Sequence, residues 1–242
     1  MNQKKNQILS AVVVALGAAA ALARMAMQLW LTEENGMLPR GHWGMWVLWL
    51  LLAAAAAIAV TVSLPKGSNR YGDNFTPSAA AAIGSFSMAA GVALSLLMGN
   101  PTSRTLLMYI WYISGIGSAA GLVWAGLDRL RGNQPNVLCH AALTIFLSLH
   151  MVSRYQPWSG NPQVSVWLFS LLGAVGLTLF SHGNARFDAD CGNRHSFLAT
   201  GLLTGFVCLA AAAHTEYVWL YLGGAIWAFT GLCRMEALPE TE

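Results

Sequence analysis

Apolar residues in this chain fall into long blocks separated by short polar segments. A helix needs about 20 apolar residues to cross a roughly 30 Å hydrocarbon core. Eight blocks meet or nearly meet that length: Ile8–Leu31, Trp43–Ser63, Pro77–Met98, Leu106–Leu127, Val137–Ser153, Val164–Ser181, Phe197–His214 and Tyr217–Cys233. The pattern predicts an all-α, polytopic membrane bundle of eight transmembrane helices, forming one integral membrane domain over residues 1–242. Thr76-Pro77 and Asn161-Pro162 each offer a capping side chain followed by proline at the first helical position. The connections are short, so helices adjacent in sequence are expected to be antiparallel neighbours.

The segment Tyr109-Ile110-Trp111-Tyr112-Ile113-Ser114-Gly115-Ile116-Gly117 is echoed by Tyr217-Val218-Trp219-Leu220-Tyr221-Leu222-Gly223-Gly224-Ala225. Arg70-Tyr71-Gly72-Asp73 resembles Arg186-Phe187-Asp188-Ala189-Asp190, and Ala23-Arg24-Met25 resembles Leu149-His150-Met151. These echoes suggest two four-helix pseudo-repeats, with halves 1–132 and 133–242 in the same orientation, as in parallel-repeat transporters. Apolar helices also resemble one another by composition alone, which is the competing explanation.

Composition sharpens the membrane reading. Hydrophobic residues make up 56% of the chain and charged residues 10%, against about 25% charged in a soluble domain. Lys4, Lys5, Lys66, Arg70, Arg129, Arg131, Arg186, Arg194 and Arg234 fall in segments on one side, nine cations against Arg40, Arg104 and Arg154 on the other. The positive-inside rule then places both termini in the cytoplasm. Met1–Gln7 is basic and Ala21-Leu22-Ala23 fits a signal-peptidase site, but the apolar run continues to Leu31, as a retained anchor does. Cys139, Cys191, Cys208 and Cys233 form no CxxC pair and are expected as free thiols. No basic cluster suits a nucleic acid, so the expected surroundings are the lipid bilayer and at most another membrane protein.

The candidate chemistry is sparse. Arg24 lies about 10 Å below the outer end of its helix, on one polar stripe with Gln28. It either snorkels toward the outer headgroups, near Glu33 or Glu34, or faces a polar cavity. His140, Thr144 and Ser148 share one face of the fifth helix, and His150 with Arg154 forms a pair nearer its outer end. Arg24, Gln28, His150 and Arg154 are therefore the candidate ligand-binding residues. Aromatics concentrate toward the outer side, as an interfacial belt or the lining of a vestibule. Gly117 with Gly121, Ala80 with Gly84, and Ser87, Gly91 and Ser95 sit at helix-packing spacing.

The connection His182–His195 holds ligand types for zinc without a repeated spacing and reads as a solvated connector, its Arg186 and Asp188 paired at headgroup level. GxSxG, HExxH and Walker A patterns are missing, so no catalytic residue, cofactor or metal site is expected. With no carboxylate inside a predicted span, a pump using acidic relays is disfavoured. The reading is a non-enzymatic protein that binds or transports a small molecule or lipid through an outer-half site; the alternative is a scaffold or sensory protein with a membrane-protein partner.

The run Arg154-Tyr155-Gln156-Pro157-Trp158-Ser159-Gly160-Asn161-Pro162-Gln163, with the later Leu232-Cys233, resembles a group of uncharacterised small bacterial polytopic membrane proteins. The resemblance covers residues 154–233 and implies a bacterial cytoplasmic membrane. It transfers no functional residue.

Overall fold

The computed structural model describes residues 3–31, 43–63, 68–98, 106–158, 164–213, 215–233 and 235. Among these are eight helices: α1 (Gln3–Leu31), α2 (Trp43–Ser63), α3 (Ala79–Met98), α4 (Leu106–Arg131), α5 (Val137–Trp158), α6 (Val164–Asp188), α7 (Arg194–Ala212) and α8 (Val218–Cys233). Six are long and apolar enough to cross a membrane, while α5 and α8 carry shorter apolar stretches. Several helices outrun the spans read from the sequence, α4 and α6 among them. α4 continues past Leu127 to Arg131, and α6 continues past Ser181 to Asp188.

Both extensions end in the same turn. Gly132, at φ 77°, closes α4, with Asn133 N–H donating to Asp128 C=O and Gly132 N–H to Arg129 C=O. Asp190, at φ 54°, closes α6 through the equivalent bonds from Cys191 to Arg186 and from Asp190 to Phe187. This is the Schellman arrangement, which satisfies the last carbonyls of a helix through one left-handed residue. At the other kind of end, Asn193 caps α7 by accepting from Ser196 N–H at 3.1 Å. α3 begins at Ala79 with Ser78 as its cap, so Thr76-Pro77 precedes the helix instead of opening it.

Packing closes α3 through α8 into a ring in chain order, with α8 returning onto α3. α1 and α2 pair with each other and lie against α7, outside the ring. The connections α2–α3, α4–α5 and α6–α7 gather at one end, where Gly192 N–H donates to Asn69 C=O and Gln134 Nε2 to Asp188 C=O. We call this the Asp188 end, and the opposite one the Tyr217 end. The packing order does not trace two equivalent four-helix halves: α6 packs on α7, but α2 does not pack on α3 among the described residues.

The interior of the ring is filled with large rings and leucines, among them Trp227, Phe146, Phe180 and Leu143. Its outer face exposes apolar side chains such as Ile113, Leu138 and Ile145, as a surface against lipid requires. The closest seam joins α3 to α8. A Cβ at Gly91 would lie 2.6 Å from the Trp219 carbonyl oxygen, and one at Gly223 would lie 2.5 Å from that of Ser87. Small residues here let two backbones meet, and dispersion across that contact takes the part that the hydrophobic effect plays in water. Gly117, by contrast, points to open space, so it is not part of a packing motif with Gly121.

Gly223→Ala is expected to destabilise the bundle by about 1–3 kcal/mol through overpacking. Gly117→Ala, with nothing within 4 Å of its new methyl group, is expected to be neutral or to stabilise by about 0.5–1 kcal/mol through helix propensity. Thermal unfolding in detergent, followed by tryptophan fluorescence, checks both.

Candidate functional site: a buried charged cluster at the Asp188 end

The polar residues singled out from the sequence separate in space. Arg24 is buried and turned inward: its Nη1 donates to Ala210 C=O at 2.6 Å, and its guanidinium carbon lies 5.2 Å from the centre of the Phe169 ring. Ala210 is in the last turn of α7, where helix carbonyls lack intrahelical partners and the macrodipole is negative. Arg24 therefore fastens α1 to α7 by capping it with a cation, and does not snorkel outward. Glu33 and Glu34 lie outside the described residues. Gln28 is half-buried one turn further along α1.

His150 lies elsewhere, inside the ring. Tyr217 meets it edge-on with centroids 4.7 Å apart, and Phe146 and Trp111 flank it at 6.2 and 6.3 Å. Helices α1 and α5 do not pack on each other among the described residues. The link between the two is α8, where Tyr217 touches His150 and Tyr221, one turn on, is near enough to Arg24 to interact with it electrostatically. Arg154 belongs to α5, and its side chain lies outside the described residues. The aromatics of the Tyr217 end divide in the same way: Trp43, Trp46 and Trp219 are exposed, as a belt would be, whereas Trp111, Tyr217 and Tyr221 are buried in the ring.

The densest chemistry is at the opposite end, and the extended helices create it. Arg129 continues the buried stripe of α4 formed by Ser118, Leu122 and Ala125. Its Nη1 donates to Ser85 Oγ at 2.7 Å; its Nη2 reaches Asn184 Oδ1 at 2.9 Å and His140 Nε2 at 3.0 Å. His140 Nδ1 meets Asp188 Oδ2, and both side chains are fully buried. The indole of Trp227 stacks on the imidazole at 6.0 Å, with only 15° between the planes. On the same helix face, Thr144 Oγ1 donates to Ser181 Oγ, which donates to the His140 carbonyl.

Donor and acceptor roles fix the tautomer of His140. A guanidinium has five N–H donors and no acceptor. The nitrogen facing it, Nε2, must therefore present its lone pair. The proton of a neutral imidazole then sits on Nδ1 and is donated to Asp188. With Asp188 as the carboxylate, the three form a chain of Arg⁺, neutral His and carboxylate with no net charge, shared by α4, α5 and α6 and braced by α3. Three buried atoms around it have no hydrogen-bond partner among the described residues: Arg129 Nε, Asp188 Oδ1 and Trp227 Nε1. Tyr71 lies beside the same guanidinium without satisfying Nε.

A strap formed by residues 68–78 folds over this end. Asn74 is buried, donates to the carbonyls of Ser68 and Arg70, and accepts from Arg194 Nη1 at 3.0 Å. Tyr71 N–H donates to Asp190 Oδ1 at 2.8 Å. Phe75 packs edge-on against Phe187 and Phe197 and forms an isolated antiparallel bridge with Met235.

These contacts correct two sequence expectations. Asp188 is a buried partner of His140, not a headgroup-level partner of Arg186, whose Nε instead donates to Cys191 C=O. Arg129, counted from the sequence among the cations of the connecting segments, is a buried residue of the bundle. The ligand types between His182 and His195 are dispersed: Asp190 serves the strap, His195 Nδ1 meets the Ser63 carbonyl, and His182 and Cys191 are exposed. Among the described residues no three such side chains converge on a metal position. Comparison with known protein families, curated proteins and solved structures gives no match for this chain.

Two outcomes follow. Arg24→Met is expected to cost about 1.5–3 kcal/mol, the range for hydrogen bonds to charged groups, with Arg24→Lys recovering part of it in detergent melts. Arg129→Met and Asp188→Asn are each expected to cost about 3–5 kcal/mol, since each strands the other's buried charge. Their combination is expected to cost clearly less than the sum in a double-mutant cycle.

Proposed function

We propose that this chain is a multi-pass protein of a bacterial cytoplasmic membrane that binds or moves a small solute through its six-helix ring, without catalysing a reaction. The observation that carries this reading is the Arg129–His140–Asp188 cluster inside the ring. Charges within a membrane bundle are expensive to bury and mark ion or substrate pathways and proton relays. Small-residue seams such as that of Gly91 and Gly223 already hold helices together without charge. Stability alone therefore gives no reason for the cluster.

All eight helices span in this reading. α5 and α8 have short apolar stretches, but each is flanked in the ring by two helices long enough to cross. The excess of Lys and Arg in the segments of the Asp188 end makes that end cytoplasmic, with both termini. The solute then enters from the Tyr217 end, where Arg24 and Gln28 outside the ring and His150 and Arg154 on α5 remain the candidate contacts. A scaffold or sensory role with a membrane-protein partner is the second reading. It is favoured by the interior itself, which Trp227, Phe146 and Phe180 fill with apolar rings.

Native mass spectrometry of the protein purified gently from its own membrane separates the two. A retained small molecule or defined lipid, lost in His140→Gln, is the outcome expected of the solute reading. A stoichiometric protein partner with no small ligand is the outcome expected of the scaffold.

A further inference from the structure

We propose that Asp188 and His140 form an occluded proton-binding site inside the ring, loaded from the Asp188 end; the site's role in transport rests on the solute reading above. Its geometry leaves one place for a proton. His140 Nδ1 already carries one, donated to Asp188 Oδ2, and Nε2 is taken up by Arg129. Asp188 Oδ1 is buried without a hydrogen-bond partner among the described residues. A proton arriving from water adds there, converting the carboxylate to a carboxylic acid and leaving both bonds of His140 in place. It leaves by the same oxygen.

The route is short on one side and closed on the other. Asp188 is followed directly by exposed Ala189, and its carbonyl accepts from the exposed Gln134. Toward the Tyr217 end the buried stripe of α5 runs from His140 through Leu143 and Leu147 to His150, about 15 Å away along the axis. Two leucines and the Trp227 indole stand between the site and the far side. A proton bound here thus faces one aqueous phase until the ring rearranges.

The groups facing the pair set what the proton changes. Arg129 comes from α4, Cys139 from α5 and Tyr71 from the strap, with Asp128 of α4 next to Cys139. α3 contributes Ser85 and α8 contributes Trp227, neither of which titrates. Protonating Asp188 removes the one carboxylate in line with Arg129 and leaves the cluster with a net positive charge. An uncompensated cation in low dielectric is costly. That imbalance is what would drive Arg129 away from His140, or draw a counter-charge to it, and so couple proton load to the ring.

The test uses acid-minus-neutral infrared difference spectra of the full chain in lipid, with aspartate labelled by ¹³C at the carboxyl carbon. The expected result is a hydrogen–deuterium-sensitive, label-shifted carboxylic C=O band that disappears in Asp188→Asn and shifts in His140→Gln. Should Asp188→Asn fail to fold, the variant combining Asp73→Asn, Asp128→Asn and Asp190→Asn leaves Asp188 as the only aspartate. A label-shifted band surviving in that variant supports the site; its absence there overturns it. A solute retained without an Asp188 band overturns the proton site and leaves the solute reading standing. The band without any retained solute does the reverse.

Discussion

Arg129 donates hydrogen bonds and accepts none, and that asymmetry orders the charged end of the bundle. It dictates the tautomer of His140, which dictates that Asp188 is the recipient of the Nδ1 proton, and the three side chains then tie α4, α5 and α6 at a single level. Ser85 and Asn184 complete the guanidinium's surroundings from α3 and α6. None of these groups can be exchanged for an apolar one singly, because each removal leaves a buried partner uncompensated. The register of four helices in the ring is thereby linked to one tautomer of His140.

Chain termination makes the cluster possible. α4 and α6 stop in matching Schellman turns, one through Gly132 and one through Asp190. These turns place Arg129 and Asp188 on the last turns of their helices, so both charges are reached from the connections without threading the apolar interior. Asp190 does double duty. A non-glycine residue in the left-handed region is uncommon, and aspartate is one of the few that adopts it readily. Its carboxylate then receives the Tyr71 amide and anchors the strap, and Tyr71 in turn lies beside Arg129. The strap and the charged cluster are one mechanical unit.

The spans were legible in the sequence because length and hydropathy are what a bilayer selects, and α2 begins and ends where the apolar block does. The cluster was harder to see, for a physical reason. Hydropathy alone ends α4 and α6 before the first charges, at Leu127 and Ser181, and leaves Arg129 and Asp188 in the connections. The signal lay in periodicity. Ser118, Leu122, Ala125 and Arg129 continue one helical stripe, and Ser181, Asn184 and Asp188 recur at i, i+3 and i+7. The polar face of α5 at His140 and Thr144 is visible, but Ser181 and Asp188 lie 37 to 48 residues from it, and Ser85 and Asn184 lie 44 and 55 residues from Arg129, distances that no local pattern spans. Arg24 was conspicuous because it stood alone in an apolar helix. Its partner, a backbone carbonyl 186 residues away, has no sequence signature at all.

Two of the buried arginines, Arg24 and Arg129, show why conspicuousness and function part company. Arg24 is neutralised by a helix terminus and an aromatic face, neither of which can change its charge under physiological conditions. These contacts fasten α1 to α7 without depending on a titrating partner. Arg129 is held by an imidazole and, through it, a carboxylate, both of them ionisable groups. Under the proton site proposed above its environment has two charge states, and the helices that share it are the ones that would respond. A membrane bundle that needed only cohesion would use the first kind of arrangement throughout. The second kind, placed where a strap meets a ring of six helices, is the arrangement through which a change of charge can become a change of shape.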